Sequence, residues 1–146
     1  MIMRYLVLVS HGTFAPGYHN ALGMIVGADR DDILSTSMLD GMALDTYEEN
    51  LRKLVAHIQP TDEVILLGDL AAGSPLTRAA QVLSEQGLLD NSIVVGGMNL
   101  PMAITAACAD PDESLEDVLE ELLECAREEV RQVTFEVPED ENDDDI

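Results

Sequence analysis

Short continuous apolar runs alternate with amphipathic stretches along this chain, and that alternation sets the expected fold. Residues 4–10 carry the run Tyr5-Leu6-Val7-Leu8-Val9 and stop at His11-Gly12, the pattern of a strand buried on both faces. Residues 17–26 suit a helix, with Ala21, Leu22, Met24 and Ile25 as its apolar side. Residues 33–39 alternate as a weaker strand, and residues 44–58 place Leu44, Tyr47, Leu51, Leu54, Val55 and Ile58 at helical spacing. After the Pro60-Thr61-Asp62 turn, residues 63–68 read as a second buried strand and residues 76–86 as a helix ended by Gly87. Residues 92–96 predict a third buried strand, and residues 102–109 a short helix.

Residues 114–133 predict the longest helix, opened by Ser114 and Asp117 in the manner of a capping box. Residues 133–137 alternate like an edge strand before Pro138. Strands that alternate with helices imply an α/β fold: a doubly wound, mostly parallel sheet with helices on both faces. A single domain over residues 1–138 is expected, followed by a disordered acidic tail at 139–146.

Three strand ends carry small-residue loops: His11-Gly12, residues 69–75 and residues 96–101. In an open α/β sheet such carboxyl ends converge on one crevice, where ligands bind. His11 is thereby delivered to the sheet edge, where an imidazole can serve as nucleophile, base or metal ligand. Asp69 also follows a buried strand directly. On a neighbouring strand, its carboxylate would accept from one ring nitrogen and leave the other as a lone pair. Read alone, Asp69 serves equally as a loop or cap residue. Ser74 at an N-cap with Pro75 at the first helical position is a strong helix-start signal. A helix start also offers backbone N–H groups, a hydroxyl and the positive dipole end to an anion, although every capped helix has some of this character.

Composition narrows the partners. The 146 residues hold 29 acidic and 7 basic side chains, a net charge of -22. That balance excludes nucleic acid and disfavours anionic membrane surfaces. Only 12 of the 29 acids precede Asp110, so the region around His11 is mildly acidic and open to an anion. Cys108 and Cys125 make no disulfide framework or CxxC pair and are expected as small core residues. The first apolar run is too short for a signal peptide or membrane span, which points to a soluble cytoplasmic protein.

Several chemistries lose support. No Walker lysine follows the glycines, Ser10 stands where a histidine phosphatase carries arginine, and no His/Cys/Glu cluster shows metal spacing. No cofactor or metal is expected. His19 reads as a rim or surface residue and His57 as structural or solvated near a helix C-terminus. Phe14, in a chain with few aromatics, is a candidate contact for a partner protein.

Three segments together resemble the enzyme IIA domain of the mannose family of the bacterial phosphoenolpyruvate-dependent sugar phosphotransferase system (PTS). They are residues 10–17 (SHGTFAPG), 68–75 (GDLAAGSP) and 96–102 (GGMNLPM), matching the approximate family patterns HGxxAxG, DxxGGSP and GxNxPM in order and at similar spacing. The resemblance spans about residues 1–135. It implies a phosphoryl relay in which His11 Nε2 accepts phosphate from the phosphocarrier HPr and passes it to enzyme IIB, which serves the membrane subunits IIC and IID. Asp69 would hold Nδ1. Ser74 and Gly73, with Gly12 and Thr13, would cradle the phosphate.

The resemblance further implies a homodimer exchanging the last strand, here residues 133–137. Two departures stand out. Ala72 replaces the first glycine of the family's pair, which matters if that position needs a positive φ. The chain also ends in an acidic tail with no basic or Pro/Ala-rich linker, as expected of a stand-alone IIA subunit. Three other readings remain: the related phosphotransfer subunit of a dihydroxyacetone kinase, a small metal chelatase whose strand also ends in His-Gly, and a non-catalytic regulatory module. The Ser74-Pro75 and Asn99-Leu100-Pro101 segments favour the sugar-transport branch.

Overall fold

Strand β1 (Arg4–His11) lies inside a four-stranded, all-parallel sheet of order β2-β1-β3-β4, with β2 at Ile33–Met38, β3 at Glu63–Gly68 and β4 at Ser92–Val95. The computed structural model describes residues 2–138. Burial on both faces explains the unbroken apolar runs, since both sides of β1 and β3 must face helices. Tyr5, Val7 and Val9 point to one face and pack with Val64 and Leu66 against helices α2 (Leu44–Leu54) and α3 (Ser74–Glu85). Leu6 and Leu8 point to the other. They pack with Ile65 and Leu67 against α1 (Phe14–Val26), α4 (Leu100–Cys108) and α5 (Leu115–Glu129).

The chain leaves β1 through α1 to reach β2 on one flank, and later fills β3 and β4 on the other. The order of winding therefore reverses at the β1–β3 boundary. That is where the carboxyl ends of parallel strands open a crevice. The doubly wound α/β expectation holds, with helices on both faces.

Several boundaries differ from the sequence reading, each for a local reason. Helix α1 begins at Phe14 rather than residue 17, because the buried Ser10 hydroxyl accepts the Ala15 N–H at 2.6 Å. Pro16 then falls in the first turn, where an absent N–H costs nothing. Helix α4 begins two residues early, at Leu100, because the Asn99 side chain caps it through the Met102 N–H at 3.1 Å. Helix α2 ends at Leu54, where Val55 turns the chain. Ser114 caps α5 through the Asp117 N–H as expected.

Three expectations are corrected. Cys108 and Cys125 are exposed; on α5 the buried stripe is Val118, Leu122 and Ala126, and Cys125 lies outside it. Residues 133–137 form no ladder among the described residues, and Val133, Phe135 and Val137 are largely exposed. A strand exists only through pairing, and this segment has no partner among the described residues. His19 is half-buried rather than superficial, with Nδ1 2.6 Å from the Ser35 hydroxyl on β2. His57 is exposed and stands edge-on to Tyr5, as a solvated residue near a helix end should. The expected acidic tail lies outside the described residues.

Among the described residues, four of the chain's seven cations are paired with carboxylates. Arg4 pairs with Glu63, Arg30 with Asp32, Arg52 with Glu48, Glu49 and Glu85, and Arg78 with Glu48. Arg4 also donates to the Asp110 and Glu113 carbonyls, and Arg30 to that of Ala107. Both arginines thus tie the α4–α5 connection to the amino ends of the strands, opposite His11.

Candidate functional site

His11 is the last residue of β1, and its side chain is 48% exposed at the carboxyl edge of the sheet. The strand stops there because Gly12 turns with a φ of 56°, a left-handed conformation that suits glycine, while its N–H donates to the Met38 carbonyl. Asp69 follows β3, the hydrogen-bonded neighbour of β1, so the fold brings the two residues together across one strand spacing.

One oxygen of Asp69 serves His11 twice. Oδ2 accepts the His11 backbone N–H at 3.0 Å and lies 2.9 Å from ring Nδ1, while Oδ1 accepts the Leu70 N–H at 2.9 Å. Partial burial alone would push the Asp69 pKa up. The His11 backbone N–H, the His11 ring and the Leu70 N–H outweigh it and hold the carboxyl below its ordinary value. Asp69 is therefore ionised at neutral pH and can only accept. The Nδ1 proton is assigned to this contact, so in the neutral ring Nε2 carries the free lone pair.

The loop from Asp69 to Gly73 closes over the ring. A Cβ on Gly73 would stand 2.9 Å from His11 Cε1, so the missing side chain is what leaves room for the imidazole. Gly73, not Ser74, is the N-cap of α3, which corrects the reading of this helix start. Ser74 is the first helical residue and Pro75 the second. No side chain caps the helix, because the position before Ser74 has none to offer. The Thr77 N–H closes the first helical bond onto the Gly73 carbonyl. Ser74 and Leu76 N–H groups precede it in the first turn, and Pro75 has none. Thr13, exposed, is the N-cap of α1 just past Gly12, and its hydroxyl makes no capping bond. His11, Asp69, Gly73, Ser74, Gly12 and Thr13 therefore converge on one edge, beside the N-termini of α1 and α3. Ala72 has no positive φ, so replacing the family glycine strains nothing.

Four contributors escaped the sequence reading. Ser10 anchors the start of α1, and its hydroxyl also donates to the His11 carbonyl at 2.9 Å. A polar residue ending an otherwise apolar buried run was the available signal. Gly96 permits close approach of the β4–α4 loop: a Cβ there would meet Ala71 Cα at 2.2 Å. Asn99 joins three helices. It caps α4, donates to the Ala126 carbonyl on α5 at 3.0 Å, and receives the Tyr18 hydroxyl of α1 on its backbone oxygen. Tyr47 reaches from α2 to α3, with its hydroxyl 2.7 Å from the Pro75 carbonyl.

This geometry has relatives. The family described as the PTS system fructose IIA component, EIIA-man, matches residues 5–123. The chain belongs to that family. As an EIIA component it is a phosphotransfer protein of a sugar phosphotransferase system. It is 25% identical over 120 residues to the PTS system fructose-specific EIIA component of Bacillus subtilis (strain 168), covering 82% of this chain and 80% of that protein.

Solved structures agree with the EIIA assignment. The mannose/sorbose specific IIA subunit from Enterococcus faecalis superposes with a TM-score of 0.75 at 28% identity, over 94% of this chain and 98% of that one. The PTS IIA protein associated with the fucose utilization operon of Streptococcus pneumoniae superposes at 0.72 with 25% identity, over 90% and 93%. In this EIIA chain no described helix is long and apolar enough to cross a membrane.

Proposed function

We propose that His11 is the phosphoryl carrier of this EIIA component. Its Nε2 attacks the phosphorus of phospho-HPr, a P–N bond to His11 forms as the bond to the donor breaks, and the phosphoryl group then moves to enzyme IIB. Through IIB it serves the membrane subunits IIC and IID. The observation that carries this reading is the Asp69–Nδ1 contact of 2.9 Å, which leaves Nε2 as the outward nucleophile. As Nε2 attacks, positive charge develops on the ring, and the ionised Asp69 stabilises it. Ser74, the backbone at Gly73, and Gly12 with Thr13 receive the phosphoryl oxygens at the helix starts.

The cradle holds no lysine or arginine. A neutral cradle favours a labile intermediate, because an ion-paired phosphate would resist onward transfer. The working unit is residues 1–138, acting in the cytoplasm as a homodimer that exchanges residues 133–137. The alternating Val133, Phe135 and Val137 support the exchange, as does β4, which among the described residues pairs with β3 alone. A dihydroxyacetone kinase role is less favoured by the family match. A chelatase role lacks ligands: no group of three or more His, Cys, Asp or Glu side chains among the described residues is placed to hold a metal.

The test is transfer from labelled phosphoenolpyruvate through enzyme I and HPr. Wild-type protein should gain acid-labile, base-stable phosphate, and His11→Ala should gain none. Equal labelling of His11→Ala, or an unlabelled wild type, overturns the assignment.

A further inference from the structure

Tyr47 is fully buried on α2, and its hydroxyl donates to the Pro75 carbonyl at 2.7 Å. The acceptor is unusual in its position. Pro75 is the second residue of α3, in the turn that starts beside the His11 ring. The Pro75 carbonyl and the Leu76 N–H are two ends of one planar peptide group. Proline removes one donor from this first turn, and the Thr77 N–H is already spent on Gly73. Leu76 and Ser74 are then the backbone donors that the α3 start can aim at an anion.

A hydrogen bond to a peptide oxygen polarises the N–H of the same group and strengthens it as a donor. The Tyr47 proton stays in place: burial first, and the nearby Asp69 charge second, push its pKa well up. The turn is held from the opposite side as well, because Gly68 leaves room for Leu76. A Cβ at Gly68 would lie 2.9 Å from the Leu76 side chain.

We propose that Tyr47 is a positioning residue for phosphoryl transfer, fixing the first turn of α3 against His11 and sharpening the Leu76 N–H as a phosphoryl donor. This rests on the relay reading of His11. A hydrophobic core role alone would be served equally by phenylalanine.

The experiment compares wild type, Tyr47→Phe and protein carrying 3-fluorotyrosine at position 47, whose more acidic hydroxyl is a stronger donor. Rates of His11 phosphorylation are measured at saturating phospho-HPr. Loss of one such bond predicts a rate lowered about three- to tenfold in Tyr47→Phe, with KM for phospho-HPr unchanged. The fluorinated protein should match or exceed wild type. It carries the test alone should Tyr47→Phe fail to fold, and a rate clearly below wild type then overturns the proposal. A wild-type rate in folded Tyr47→Phe overturns it too, while leaving the relay intact.

The His11 ring nitrogen-15 resonances give a reading independent of labelling. Their displacement in Tyr47→Phe supports positioning even if wild type takes no phosphate, which would sink the relay alone. Unmoved resonances in that case would sink both.

Discussion

The Asp69 carboxylate grips His11 at two points with a single oxygen, the backbone N–H at 3.0 Å and ring Nδ1 at 2.9 Å. The backbone contact ties the carboxylate to the strand end, and the ring contact sets the tautomer. Position and tautomer of the imidazole are thus set by one group.

Asp69→Asn keeps the shape of that contact and removes its charge. The amide also brings N–H donors, which favour the opposite ring tautomer. Phosphorylation of His11 should slow by about 10- to 100-fold, the range expected for loss of a hydrogen bond to a charged group. Stopped-flow or quenched-flow labelling measures it, and a rate within twofold of wild type removes Asp69 from the mechanism.

The same carboxylate makes stability depend on pH. Its folded pKa lies below the ordinary value of 3.8, so it stabilises the native state fully above that value and loses the contribution as pH falls through the folded pKa. The stability gap between wild type and Asp69→Ala should narrow as pH falls below about 4, where the carboxylate takes up its proton. Urea unfolding across that acidic range checks it; a gap that widens there contradicts the ionised assignment.

Gly73→Ala places a methyl group 2.9 Å from His11 Cε1, a distance real Cβ atoms do not tolerate. The backbone at Gly73 is extended, with φ −83° and ψ 156°, so alanine fits the chain itself without strain. The variant should fold with nearly unchanged thermal stability and transfer phosphate at least about tenfold more slowly, since a ring displaced by 1 Å loses its attack geometry. Differential scanning fluorimetry beside the labelling assay separates the two effects.

Phe135→Glu introduces a charge into the apolar side of residues 133–137. If this segment is exchanged between protomers, the substitution should shift the protein toward monomer without unfolding it. Sedimentation equilibrium reads the change, and an equally tight dimer argues that the contact lies elsewhere.

The order of strands and helices was legible because buried parallel strands leave unbroken apolar runs, as in Leu6 to Val9 and Val64 to Leu67. His11 and Asp69 were legible because each follows such a run directly. The starts of α1, α3 and α4 were not. Ser10, Asn99 and Gly73 act through hydrogen bonds or space set by the tertiary fold, and the positions of Pro16, Pro75 and Pro101 alone tolerate several registers within the first turn. The exposure of Cys108 and Cys125 was likewise hidden, since helical periodicity marks a stripe but not which marginal residue falls outside it. Tyr47 was read as one more apolar residue on a helix. Its hydroxyl partner sits 28 residues away on another helix, beyond any local pattern.

The internal pairing of Arg4, Arg30, Arg52 and Arg78 has a consequence for encounters in solution. With those cations already spent, little positive charge is left to offset the excess of carboxylates, and the molecule approaches others as an almost unrelieved anion. Acidic proteins are repelled before contact and basic ones drawn in from beyond touching distance. The ionic strength of the surroundings therefore governs how quickly a partner arrives, while the chemistry at the His11–Asp69 edge governs what happens once it has.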